Sequence, residues 1–113
     1  MKKENIVKSS KDFNRIIKKR QGTSNNYFII NKETNNENKI MFGITFTKNI
    51  GNAVTRNKLK RRIKSIIDNN EVYQKNTTYI IIARKTVLEL KYQEMEQELV
   101  KLFKKIKGEN NEK

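Results

Sequence analysis

The stretch that most constrains this chain is residues 48–64, K-N-I-G-N-A-V-T-R-N-K-L-K-R-R-I-K. A Gly-Asn turn leads into a segment holding six basic residues in nine positions, 56–64. At 100° per residue, Leu59, Ile63, Ile66 and Ile67 fall on one narrow apolar arc, and Lys58, Lys60, Arg61, Arg62 and Lys64 cover most of the rest, with Asn57 among them. Such a helix is held to a core by one side and offers the other to a polyanion. No acid occurs between Glu37 and Asp68, so this is not the mixed-sign surface of an ordinary solvated helix.

The whole chain agrees with that helix. Its 113 residues carry a formal charge of +14, a size suited to one hydrophobic core and a charge that a nucleic-acid partner would relieve. Only six of the 26 basic residues are Arg, and Arg56, Arg61 and Arg62 sit together in the basic helix. In a Lys-rich chain that concentration points to planar, multi-donor contacts with phosphates and base edges. There is no Cys and no His, which excludes disulfides, zinc fingers and His-dependent acid–base chemistry. No carboxylate cluster suggests a metal-dependent nuclease site, so no catalytic or metal-binding residues are expected in the protein. The longest apolar run, residues 79–83, is too short to cross a bilayer, and the amino terminus lacks a signal-peptide core; a cytoplasmic protein is expected.

The pattern predicts one α/β domain with the order helix, strand, strand, helix, strand, helix in a two-layer sandwich. Residues 1–8 read as a basic mobile arm. Residues 9–20 make a first helix with Ser9 and Asp12 at capping-box spacing and an apolar stripe of Phe13, Ile16 and Ile17. Residues 21–26 break it at Gly22. Residues 27–31 form a strand with Tyr27, Ile29 and Asn31 on one face, followed by a polar turn at 35–38. Residues 39–47 alternate cleanly, Ile40, Phe42, Ile44 and Phe46 against Met41, Gly43, Thr45 and Thr47. The basic helix spans 52–69 with Asn52 as its N-cap, and Gly51 permits the sharp turn into it; the first-turn N–H groups beside Lys48 are a potential anion site. The β-branched run at 77–84 predicts a strand buried on both faces, parallel to 39–47 across the basic helix. Tyr92, Met95, Leu99, Leu102, Phe103 and Ile106 define a last helix ending at Gly108, with a disordered tail at 109–113.

Beside the basic helix, Phe13 and Ile17 lie one turn apart and could meet unpaired bases. Arg84 and Lys85 close the central strand, at the end where α/β sheets commonly present ligands. Either group could equally serve packing or solubility.

Taken together, G-N-A-V-T-R-N followed by K-L-K-R-R-I-K, with D-F at 12–13, G-T-S at 22–24 and Y-I-I-I-A-R-K at 79–85, resembles the protein subunit family of bacterial ribonuclease P over nearly the whole chain. The resemblance implies a left-handed β-α-β crossover around the basic helix, against the usual right-handed rule. It also implies a cofactor role. The RNA subunit, holding most of the Mg²⁺, would remove the 5′ leader of precursor tRNA, and the protein would bind both. Carried over by position, Arg56, Asn57, Lys58, Lys60, Arg61, Arg62 and Lys64 would face the catalytic RNA. Phe13, Ile17, Asn31, Lys48, Arg84 and Lys85 would line the leader cleft. Ile17 and Asn31 stand where family members often carry aromatics, and Asn49 where a second basic residue is common; fewer stacking surfaces and one less charge follow. The alternatives are another basic RNA-binding module such as a ribosomal protein, a nuclease acting alone, and a membrane-surface binder. The first lacks a reason for the signature at 51–62, the second lacks a site, and the third needs a broad apolar face.

Overall fold

The computed structural model describes residues 5–7, 10–19, 22–36, 38–48, 50–71 and 73–111. Helix α1 (Ser10–Lys19) is followed by strands β1 (Gly22–Ser24), β2 (Phe28–Thr34) and β3 (Ile40–Phe46). Helix α2 (Ala53–Asp68), strand β4 (Thr77–Ala83), a 3₁₀ helix (Lys85–Glu89) and helix α3 (Tyr92–Asn111) complete the chain. The expected order holds, with the three-residue strand β1 added before β2.

The sheet runs β1-β2-β4-β3. β2 and β4 are antiparallel, with Ile30 opposite Ile81, and β3 and β4 are parallel, with Ile44 opposite Ile81. β4 is therefore inserted between two strands that follow one another in sequence. That central place explains its near-continuous β-branched run, which has to satisfy apolar surroundings on both faces. The chain turns between β2 and β3 around Asn35, whose side-chain amide donates to the Lys39 carbonyl at 3.2 Å and to Thr78 Oγ1 at 2.9 Å.

One face carries the main core. Phe42, Tyr79, Ile81 and Ala83 meet Leu59, Ile63, Ile66 and Ile67 of α2 and Met95, Leu99, Leu102, Phe103 and Ile106 of α3. All four residues of the expected α2 arc are buried. Phe42, Tyr73, Tyr79 and Phe103 form an aromatic cluster with centroids 4.8–6.5 Å apart. Burial raises the pKa of the Tyr73 and Tyr79 phenols. Both remain uncharged donors or acceptors: Tyr73 donates to the Ile67 carbonyl at 3.2 Å and Tyr79 accepts from the Gln74 amide at 3.0 Å. Tyr92 ties α3 to α2 through a 2.8 Å hydrogen bond with Ser65. On the opposite face Ile16, with Phe13 and Ile17 beside it, packs on Ile80, Ile82 and Met41, so α1 adds a short cover behind the two-layer body.

Several expectations are corrected. Residues 5–7, read as part of a mobile arm, dock along the free edge of β3: Ile6 bridges Phe42 in parallel, the Val7 amide donates to the Phe42 carbonyl at 2.9 Å, and Asn5 donates to the Ile40 carbonyl at 2.7 Å. The driving force is a bare strand edge, which this segment caps. Residues 22–24, read as a break, pair with β2. α3 continues through Gly108 to Asn111, because glycine permits a helix end without forcing one. Tyr27 does not share a face with Ile29 and Asn31; it precedes β2 and packs against the main core. Residues 1–4, Ser9 of the expected capping box, Asn49, and Glu112 and Lys113 of the expected tail lie outside the described residues.

Candidate nucleic-acid interface

The site is built on the turn between β3 and α2. Gly51 has φ +138°, in the left-handed half of conformational space that side chains resist, and a Cβ there would also meet Thr55 at 3.0 Å. Glycine therefore lets the strand end feed straight into the helix. Asn52 then caps it, its side chain accepting from the Thr55 amide at 3.0 Å. With no acid in the first turn, the helix begins with its positive end uncompensated by any neighbouring carboxylate of its own.

Because the apolar arc fixes the rotation of α2, its cations divide between two flanks. Lys60 and Lys64, one turn apart, line a groove of about 270 Å³ with Ile6, Val7, Phe13, Phe42 and Ile44. The neighbouring groove, about 360 Å³, shares Phe13 and Ile44 and adds Asn14, Ile17 and Thr45. The two form one path over the edge of β3, walled by α1 on one side and α2 on the other. Lys58 and Arg62 line a different groove on the far flank. Asn57 and Arg61 are exposed on the crest between, and Arg56 is exposed in the first turn.

Phe13 owes its position to Gly43. The bare glycine on β3 lets the ring lie over the strand: a Cβ at Gly43 would sit 2.6 Å from Phe13 Cζ and 2.7 Å from Ile80 Cδ1. α1 is pinned from its other side by ion pairs. Arg15 reaches Glu33 of β2 at 2.7 Å and Asp12 at 2.8 Å, and Lys19 also pairs with Glu33. The hydrogen bond from Arg15, then that from Lys19, holds the Glu33 carboxyl below its ordinary range against the opposing effect of burial.

The other residues expected at a leader cleft are distributed unevenly. Ile17 lines the groove beside Phe13. Lys48 and Arg84 lie at the same end of the sheet, where the Thr47 amide donates to the Ala83 carbonyl at 3.1 Å; Lys48 is exposed and Arg84 half-buried. Arg84 Nε is buried without a hydrogen-bond partner among the described residues. Lys85 is exposed at the start of the 3₁₀ helix. Asn31 is not brought to the groove. It is 6% exposed, on β2 opposite Ile80, so β4 separates it from the β3 edge. Sequence reasoning missed Asn14, Ile44 and Thr45. The alternation of β3 had assigned Ile44 wholly to the core, whereas an edge strand exposes its flank as well as its faces.

Among the described residues no group of three or more Asp, Glu, Cys or His could hold a metal ion, and no helix is long and apolar enough to cross a membrane. These features define a class: a small α/β domain that sets cations beside apolar grooves along one helix. The chain matches the family model described as Ribonuclease P over residues 1–107, and it belongs to that family. It is 40% identical over 109 residues to the ribonuclease P protein component of Mycoplasma capricolum, covering 95% of this chain and all of that one. To the component of Streptococcus pneumoniae it is 40% identical over 114 residues, covering 98% and 93%. Among solved structures, a mutant Staphylococcus aureus RNase P protein superposes with a TM-score of 0.84 at 30% identity, covering 93% of this chain and 90% of that one. The Thermotoga maritima RNase P protein gives 0.79 at 28%, covering 88% and 94%.

Proposed function

We propose that this chain is the protein subunit of a cytoplasmic ribonucleoprotein that removes the 5′ leader of precursor tRNA. It binds the catalytic RNA through the crest and far flank of α2 and holds the single-stranded leader in the groove between α1 and α2. The observation that carries this reading is the pairing of Phe13 with Lys60 and Lys64 across one groove. A single strand offers a flat base and a phosphate at each step, and this groove offers an aromatic ring opposite two ammonium groups.

The leader's path suits the chemistry of its walls. Phe13 and Ile17 take base surfaces, and Asn14 and Thr45 supply polar groups beside them. Toward the other end, half-buried Arg84 would offer its guanidinium charge to a passing phosphate. Lys48 and Lys85 add charge at that end. Asn31, being buried, is left out of the binding surface. Lys60 and Lys64 belong to the leader groove's wall as much as to the catalytic-RNA surface, so the two polyanions meet at α2.

Mg²⁺ would supply the activated water and leaving-group stabilisation of the hydrolysis. We infer that the RNA holds most of it; in support, no group of three or more acids stands together among the described residues, and Glu33 is engaged by Arg15 and Lys19. The protein's part is to neutralise phosphates where leader and catalytic RNA converge and to fix the leader's register. The test is competition between leader-bearing precursor and mature tRNA for the cognate ribonucleoprotein. The Phe13→Ala substitution is expected to reduce the preference for the leader-bearing substrate about tenfold, from the loss of one stacking surface. An unchanged preference would remove the leader from this groove.

A further inference from the structure

Val54 and Leu88 are the exposed large hydrophobic residues among those described, at 74% and 46%. Both line one groove of about 350 Å³ between the first turns of α2 and the 3₁₀ helix, floored by Leu59 and Val87 and rimmed by Lys58 and Arg62. A large aliphatic side chain left open beside two cations calls for a partner that is apolar and anionic at once. We propose that this groove takes an unpaired nucleotide of the catalytic RNA, its base against Val54 and Leu88 and its flanking phosphates on Lys58 and Arg62.

The inference rests on the reading of the chain as an RNA-binding subunit and adds a second, differently built site to it. Charge decides against another copy of this chain, since a +14 protein repels itself. No acid is among the described residues that line the groove, so the rim favours an anion. Continuity with the exposed crest at Asn57 and Arg61 favours the RNA already proposed to lie there. A regular duplex presents only phosphates and sugars at such a surface and leaves the aliphatic floor wet; an unpaired base carries an apolar face on the same backbone as its phosphates. The leader is a poor candidate because its groove lies on the opposite flank of α2.

The test uses the full chain with its cognate catalytic RNA. A Val54→Ser/Leu88→Ser double variant alters two exposed side chains, so it keeps its fold, which thermal denaturation checks. Its affinity for the catalytic RNA is expected to fall about tenfold, the worth of partly burying two aliphatic side chains. The slope of log K against log salt stays unchanged, because every cation that neutralises a phosphate is retained, and leader preference is also unaltered. Separately, a photo-crosslinker introduced as Leu88→p-benzoylphenylalanine is expected to attach to an unpaired nucleotide of that RNA. Undiminished affinity of the double variant overturns the proposal, as do crosslinks confined to duplex regions of that RNA. Failure of the unaltered protein to bind the RNA would instead overturn the functional reading, and this inference with it.

Discussion

Replacing Gly43 by alanine adds one methyl group at the point where α1 meets the sheet. The new carbon would lie 2.6 Å and 2.9 Å from Phe13 Cζ and Cε1 and 2.7 Å from Ile80 Cδ1, all inside the closest approach that packed carbon atoms tolerate. Ile80 is fully buried in the central strand and has little room to yield. Phe13 is half-buried at the groove wall, so its ring is the part that moves, lifting into the proposed leader path. Overpacking of this kind costs about 1–3 kcal/mol, offset by about 0.5–1 kcal/mol from removing a flexible glycine from a strand. The net destabilisation is about 0–2.5 kcal/mol, centred near 1 kcal/mol, or a fall in Tm of about 4 °C at that centre for a domain of this size. Thermal denaturation reads the first effect, and competition between leader-bearing and mature substrate reads the second. Gly43→Ala is expected to lower both stability and leader preference, while affinity for the catalytic RNA, proposed to lie chiefly on the crest and far flank of α2, changes little. An alanine variant as stable as the parent with full leader preference would refute the account of how Phe13 is seated.

Other perturbations follow the same geometry. Arg61→Ala, on the crest of α2, is expected to weaken binding to the catalytic RNA and reduce the salt slope by about 0.9 for each phosphate that Arg61 neutralises, measured by filter binding across salt concentrations. Asn52→Ala removes the side-chain acceptor for the Thr55 amide and should cost about 1 kcal/mol of stability, read by denaturant titration with an unchanged m-value. The Glu33 carboxyl, held below its ordinary pKa chiefly by Arg15, stabilises the docking of α1 above the unfolded value of 4.5. That contribution is lost as pH falls through the lower folded value. Stability of the parent should therefore fall more steeply below pH 4.5 than that of Glu33→Gln, and parallel acid profiles would contradict the role given to this pair.

Where function depends on a single element, the sequence announced it. The arc of Leu59, Ile63, Ile66 and Ile67 fixed which side of α2 faces inward, and Asn52 and Gly51 marked its beginning, because capping and periodicity are local properties. The same holds for the alternation of β3 and the unbroken β-branched run of β4. The three-residue β1 and the 3₁₀ helix are too short to show a period, and residues 5–7 carry only two apolar side chains, whose partner is an edge created by strand order. Local signals also could not say that α2 separates two grooves, since Lys60 and Lys64 meet Phe13 only through the packing of α1 on Gly43. Asn31 shows the converse: a position chosen by resemblance is buried and lies one strand away from the β3 edge that carries the groove.

The central claim is that this protein assists an RNA catalyst rather than cleaving or merely binding RNA. Single-turnover cleavage of a leader-bearing precursor tRNA at low Mg²⁺, by the cognate RNA with and without the protein, tests it most directly. The account predicts faster cleavage at the mature 5′ end when the protein is present and none by the protein alone. Tight binding to the catalytic RNA without any acceleration would contradict it, and would mark the chain as a basic RNA-binding module of another kind.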